Sequence, residues 1–387
     1  MELSRITFIR EDVSIWLVYA GRGRRFFNDF KESQSVFLNL PGFQASERVF
    51  ADPTLMRQHL AMSDQVARWL SGARKDPPNR NASAYMAYPH NTGTTDARSF
   101  NAELGNIERL FVDAKVGDLV LSPARGHFEQ YLIGQISHKW RPADNIEIPR
   151  LEGESVPSRK VSWLDLALTR RDFPAKVSKR LQNRHAITRL DEDLYEDVFN
   201  MVYPSFVWGE KSKLDVYGDG YRGDDPLQPY ASALLVKYVV ASAFAHAKGE
   251  FLQFQALDAN DAIEKYYDKE LVEDFAQNFN SPGKFAIIAA VGSLSILASA
   301  GLYVATSDPG VPINQVIAEA SENIKGAMAG SGKTKATDDL DNYIESMQAV
   351  RWNDVRSDLG KKSNDTMPLS LDNKVEVAQR RDEINAR

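Results

Sequence analysis

Three arginines crowd the segment Gly21-Arg22-Gly23-Arg24-Arg25-Phe26-Phe27, directly behind the apolar run WLVYA (16–20). Guanidinium groups grip phosphates bidentately and stack on bases, and a phenylalanine offers a stacking platform for a single strand. Arg22, Arg24, Arg25 and Phe26 are therefore candidate nucleic-acid-binding residues. The alternative is a solvated turn over two core phenylalanines. Two further clusters, Arg125 with His127 and Lys139-Trp140-Arg141, flank the stretch EQYLIGQIS (129–137) at either end. On a small barrel all three clusters could converge on one mouth.

Other chemistry finds little support. The chain has no cysteine, which removes thiolate nucleophiles, disulfides and zinc fingers built on sulfur. Its six histidines are scattered and none forms an HxxxH or HExxH pair, so no metal site and no cofactor are expected. The segment AGSGKT (329–334) suggests a phosphate loop, but Ala327 stands where that loop needs glycine and a helical pattern precedes it. It reads as a linker. Glu264-Lys265 is adjacent and Glu210-Lys211-Ser212-Lys213 has the wrong spacing for the Asp…Glu-x-Lys set of a DNA-cutting domain. No catalytic residue is assigned.

Between Lys284 and Asp308 run 23 residues without a charge. As a helix they would span about 35 Å, enough to cross a hydrocarbon core of about 30 Å. Residues 285–307 are therefore expected to form a transmembrane helix. Gly292, Ser295, Ser299 and Thr306 would share one small, weakly polar stripe of that helix, either a packing seam between subunits or the wall of a narrow pore. Both require an oligomer and contact with membrane lipid. A second apolar stretch, 231–247, contains Lys237 and His246 and reads as a core or membrane-surface helix.

The elements that must position these residues divide the chain. Short β-prone runs (6–9, 15–19, 36–40, 118–121, 130–137, 160–164) and three helices, the last near Pro174–Leu181, make 1–190 a mixed α/β domain. Asp52-Pro53 starts the first helix as N-cap and first helical residue. Phe100, Leu104, Ile107 and Phe111 stripe the second. Scattered strands favour a barrel over a doubly wound sheet. Residues 191–280 read as a helical connecting or oligomerisation region, and 308–387 as a polar helical tail with Ile313, Val316, Ile317, Ala320, Ile324 and Ala327 on one face. The fold class expected is α+β. The formal charge of −6 is concentrated in 211–387, so total charge does not announce a nucleic-acid binder, although local clusters still can. The first residues carry no apolar run behind basic ones, so no signal peptide is expected and the N-terminal part is placed in the cytoplasm.

The ordered pieces WLVYAGRGRRF (16–26), VGDLVLSP (116–123), YLIGQI (131–136) and RKVSW (159–163) resemble the EVE-like domains of the PUA group, which stand at the N-terminus of Mrr-type restriction proteins. That resemblance implies a mixed β-barrel whose mouth reads nucleic acid, often a modified or flipped base. The whole arrangement, a reader followed by helices and a membrane segment, resembles the membrane effector of the Hailong anti-phage system. It implies an oligomeric ion channel, a tetramer, gated by single-stranded DNA oligomers that a partner nucleotidyltransferase makes, and a place in the bacterial inner membrane. The rival readings are a membrane-tethered restriction-type nuclease and a non-conducting nucleic-acid sensor.

Overall fold

A computed structural model describes residues 6–85, 95–124, 126, 130–182, 185–218, 228–268, 272–278, 283–289, 293–328, 335–347, 351–367 and 369–370. It is a mixed α/β protein in two compact units. One is continuous, 12–202; the other joins 1–11 to 203–387. The expected boundary at 190 thus falls at Val202 instead, and the first strand, β1 (Ile6–Ile9), belongs with the C-terminal unit.

In 12–202 the strands are β2 (Ile15–Val18), β3 (Ser35–Phe37), β4 (Leu119–Ser122), β5 (Leu132–Ile136), the small hairpin β6 (Ile146–Glu147) with β7 (Ser155–Val156), β8 (Ser158–Trp163) and β9 (Ile187–Arg189). Six of them form one sheet in the order β3-β8-β5-β4-β2-β9, curled into a half-barrel. β2 and β4 run parallel, and all eight of their residues are buried. Asp118, just before β4, ties them together: its buried carboxylate accepts from Ser14 N (3.0 Å), Trp16 Nε1 (2.8 Å) and Lys115 N (2.9 Å). A buried charge is tolerable only with such a set of donors. The helix Pro53–Leu70 is capped as expected, Asp52 Oδ1 accepting from Thr54 N (2.8 Å) and Leu55 N (3.3 Å). The stripe Phe100, Leu104, Ile107, Phe111 is buried along Thr95–Glu108 and the π-turn Arg109–Asp113 behind it.

The C-terminal unit departs further from expectation. Residues 191–280 contain strands as well as helices: β10 (Ser205–Trp208), β11 (Lys211–Gly218) and β12 (Val272–Asn278). With β13 (Gly283–Ala289) and β14 (Leu369–Ser370) they build a second sheet, β1-β10-β11-β13-β12, where β1 lies parallel to β10 and β14 pairs with β11.

The uncharged run 285–307 is not one helix here. Its first part is β13, held between β11 and β12 with Leu214 opposite Ile287, and only Leu294–Thr306 is helical. Thirteen residues rise about 20 Å, short of the roughly 30 Å of a hydrocarbon core. Residues 285–289 of β13 are apolar and paired on both edges, so an uncharged run is as compatible with this strand as with a spanning helix. A continuous apolar run does not separate the two.

The short helix is buried on every face, Leu294, Ile296, Ala298, Ala300, Leu302 and Val304 all at 2% exposure or less. Gly292 lies outside the described residues. Ser299 Oγ donates to Ser295 O (2.6 Å) and Thr306 Oγ1 to Leu302 O (2.8 Å), so these hydroxyls satisfy their own helix. Ser295 and Ser299 are buried within the chain itself, where the close approach is made by Gly301: a Cβ there would come within 2.6 Å of Val239 Cγ1.

Val239 belongs to the helix Gln228–Ala247, and Pro229–Ala247 is the one stretch among the described residues long and apolar enough to cross a membrane. Here it packs as a core helix, with its buried hydroxyls satisfied by Ser242–Tyr343 (2.6 Å) and Ser232–Ser363 (2.8 Å) contacts. The segment after 308 is largely folded. Val316, Ile317, Ala320 and Ile324 of helix Ile313–Met328 are buried as their spacing predicts, and Trp352 is 1% exposed. AGSGKT and the whole of 371–387 fall outside the described residues.

Candidate ligand-binding site

The segment behind β2 turns sharply. Gly21 (φ 72°), Gly23 (φ 64°) and Arg24 (φ 56°) are all left-handed. Glycine enters that region freely, whereas an arginine there is strained by about 1–2 kcal/mol. Gly21 has no room for a side chain either, since a Cβ would lie 2.7 Å from Phe26 Cδ2. The turn is closed by Arg24 N donating to Gly21 O (3.0 Å) and Phe26 N donating to Ala20 O (3.0 Å).

This turn forms one wall of a cavity of about 750 Å³, within the range of roughly 300–1,000 Å³ that suits small ligands. The cavity opens where β2 and β4 end and β5 begins, so Tyr19, Gly126 and Tyr131 reach it from three neighbouring strands. Leu38 to Leu40 follow β3 into it, and Glu103 and Asn106 come from helix Thr95–Glu108. Arg22, Arg24 and Arg170 supply positive charge.

The Arg24 guanidinium lies 5.3 Å from the Tyr19 ring centroid, and its Nε is buried without a hydrogen-bond partner among the described residues. A guanidinium held so is short of an acceptor. Tyr19 donates its hydroxyl to Leu181 O (2.5 Å), and Tyr131 rests against Phe173 with centroids 5.2 Å apart. Burial pushes both phenols above their ordinary range, while Arg24 and Arg170 pull the other way, so both remain protonated at neutral pH. Glu103 is a solvent-exposed residue on the cavity edge, and partial desolvation there, followed by the Asp64 carboxylate, pushes its pKa up.

Of the residues singled out from sequence, Arg22 and Arg24 line the cavity. Arg25 does not: its guanidinium covers the Phe26 ring at 4.6 Å. Phe26 is 1% exposed and packs against Phe37 (5.3 Å), which makes it core and not a stacking platform. Trp140 is 7% exposed and meets Phe50 edge-on, so it too is core. Lys139 is exposed, and Arg141 donates to His138 Nε2 (2.8 Å) with Asp144 3.6 Å away. This cluster follows the far end of β5 from Tyr131, so it does not join the first one. Arg125 and His127 lie outside the described residues, although Ala124 and Gly126 beside them line the cavity.

Tyr19, Asn106, Tyr131 and Arg170 were not singled out from sequence. Only Tyr19 carries a local signal, being the last aromatic before the arginine turn. Among the described residues, no group of three or more His, Asp or Glu is placed to hold a metal ion. No family model, no curated protein and no solved structure matches the chain.

Proposed function

We propose that residues 12–202 are a nucleic-acid reader of the EVE-like, PUA-group kind, whose cavity takes one nucleotide of a single-stranded DNA oligomer. The observation that carries this reading is the strained Arg24, with its unpartnered Nε, beside Tyr19 in a cavity of nucleotide size. Arginines suit a phosphate, tyrosine rings and hydroxyls suit a sugar and base, and the apolar Leu38–Leu40 segment suits a base face. The test is fluorescence anisotropy of a short labelled DNA strand titrated with the whole protein. Saturable binding that weakens with salt and is lost in Arg24→Gln supports the reading. An unchanged isotherm in that variant removes the cavity from it.

In the wider proposal the chain is a membrane effector of anti-phage defence, not an enzyme. It is an oligomeric channel whose opening is set by DNA oligomers from a nucleotidyltransferase partner. The ligand must then bind one state better than the other, by about 10⁴-fold to carry the population from 1:99 to 99:1. By length and apolar composition Pro229–Ala247 is the described helix that could cross, and to do so it would have to leave its core packing against Tyr343 and Ser363. Ligand-dependent conductance in liposomes and carbonate-resistant membrane fractionation are the tests.

A further inference from the structure

The cavity is polar at two separate places. The Arg24 guanidinium stands over the Tyr19 ring at 5.3 Å, and Arg22 and Arg170 line the cavity with it, whereas Glu103 and Asn106 enter from helix Thr95–Glu108. Glu103 and Asn106 are three positions apart on Thr95–Glu108, so they lie side by side on one helix face. Asn106 is 8% exposed, and its Oδ1 accepts from Arg109 Nη1 (3.4 Å), which leaves the Nδ2 hydrogens as the donors it can offer a ligand. Glu103 offers two acceptor oxygens and, when ionised, no donor.

We infer that this pair selects guanine. Resting on the reading of the cavity as a nucleotide site, the assignment follows from counting donors and acceptors. Guanine presents N1–H and N2–H as adjacent donors and O6 as an acceptor beside them. Glu103 matches the two donors and Asn106 Nδ2 matches O6. Adenine and cytosine each set a ring-nitrogen acceptor next to their one exocyclic amine, which a carboxylate oxygen repels. Thymine has a single N–H between two carbonyls. The phosphate end of the same nucleotide then falls to Arg22, Arg24 and Arg170.

The experiment uses five-residue DNA strands of sequence dT-dT-X-dT-dT, with X as guanine, adenine, cytosine, thymine or hypoxanthine. Each is titrated into the whole protein by calorimetry. The guanine strand should bind at least about tenfold tighter than the other three natural bases, the size of one good bidentate base contact. Hypoxanthine, which keeps N1–H and O6 but lacks the N2 amine, should fall between. Glu103→Gln, at an exposed position that tolerates the change, should weaken guanine binding and strengthen adenine binding, since the carboxylate no longer accepts from N1–H and N2–H and no longer repels adenine N1, so that the guanine preference is lost. Equal binding of all five strands, or a guanine preference that survives Glu103→Gln, overturns the selection and leaves the cavity reading standing. No binding of any strand overturns both.

Discussion

Replacing Arg24 by glycine separates the fold from the site. At φ 56° the arginine pays about 1–2 kcal/mol for a left-handed backbone. Glycine removes that strain but loses about 0.5–1 kcal/mol to the greater freedom of the unfolded chain. The net effect on stability is therefore between about zero and 1.5 kcal/mol in favour of the variant. For a unit of this length that is an unchanged Tm, or a rise of up to about 6 °C. Binding should move the other way. If the guanidinium holds an anionic ligand as proposed, its hydrogen bonds are worth about 1.5–3 kcal/mol, and their loss is a drop of roughly 10- to 150-fold in affinity. One fewer neutralised phosphate should also reduce the slope of log K against log salt by about 0.7 for a single strand. Calorimetric melting and anisotropy at three salt concentrations measure both. A Tm lowered by several degrees would mean that Arg24 holds the fold and not a ligand. Wild-type affinity with an unchanged salt slope would place the phosphate elsewhere.

Gly21→Ala should cost at least about 1–2 kcal/mol, since it meets both the left-handed backbone and the Phe26 ring, and melting should show it. Asp118→Ala should cost roughly 2–4 kcal/mol by stranding the donors of Ser14, Trp16 and Lys115, with Asp118→Asn falling between; urea midpoints will rank the three proteins. Because the chain has no cysteine, Leu214→Cys with Ile287→Cys gives a clean register test. Paired antiparallel residues lie about 4.5–5.5 Å apart at Cα, within disulfide reach, so mild oxidant should link them, and a membrane helix over 285–307 would leave them reduced. Burial holds the Tyr19, Tyr131 and Tyr343 phenols above their ordinary pKa of 10, so folded protein keeps protons that the unfolded chain has lost above that pH. Stability should be level near neutrality and fall as pH rises past 10, in step with delayed phenolate absorbance on ultraviolet titration.

Helices whose period is unbroken were legible in the sequence. Phe100, Leu104, Ile107 and Phe111 recur at helical spacing because one face of their helix is core, and Asp52-Pro53 marks a start because the carboxylate caps two amides that the helix cannot pair. The run 285–307 was misleading for an equally physical reason. Phe285-Ala286-Ile287-Ile288-Ala289 is paired on both edges and needs no polar residue, and the same is true of a helix in lipid. One partner strand, β12, is near in sequence, but the other, at Leu214, lies more than seventy residues away, so a window around 285–307 holds only half of the pairing.

The site divides along the same line. The arginine turn was legible because Gly21-x-Gly23 behind an apolar strand is a local statement about backbone freedom. The rest of the cavity comes from segments brought together only by sheet order, Tyr131 reaching it because β5 lies beside β4 and β4 beside β2. Neighbouring arginines show the limit most sharply. In sequence Arg24 and Arg25 are interchangeable, yet Arg24 is left-handed and Arg25 returns to φ −63°, so their side chains part. One guanidinium goes over Tyr19 at the cavity, and the other covers the buried Phe26. A single change in backbone sign thus decides which charge can meet a ligand, and a Phe26 ring that is packed against Phe37 decides that the second charge stays outside.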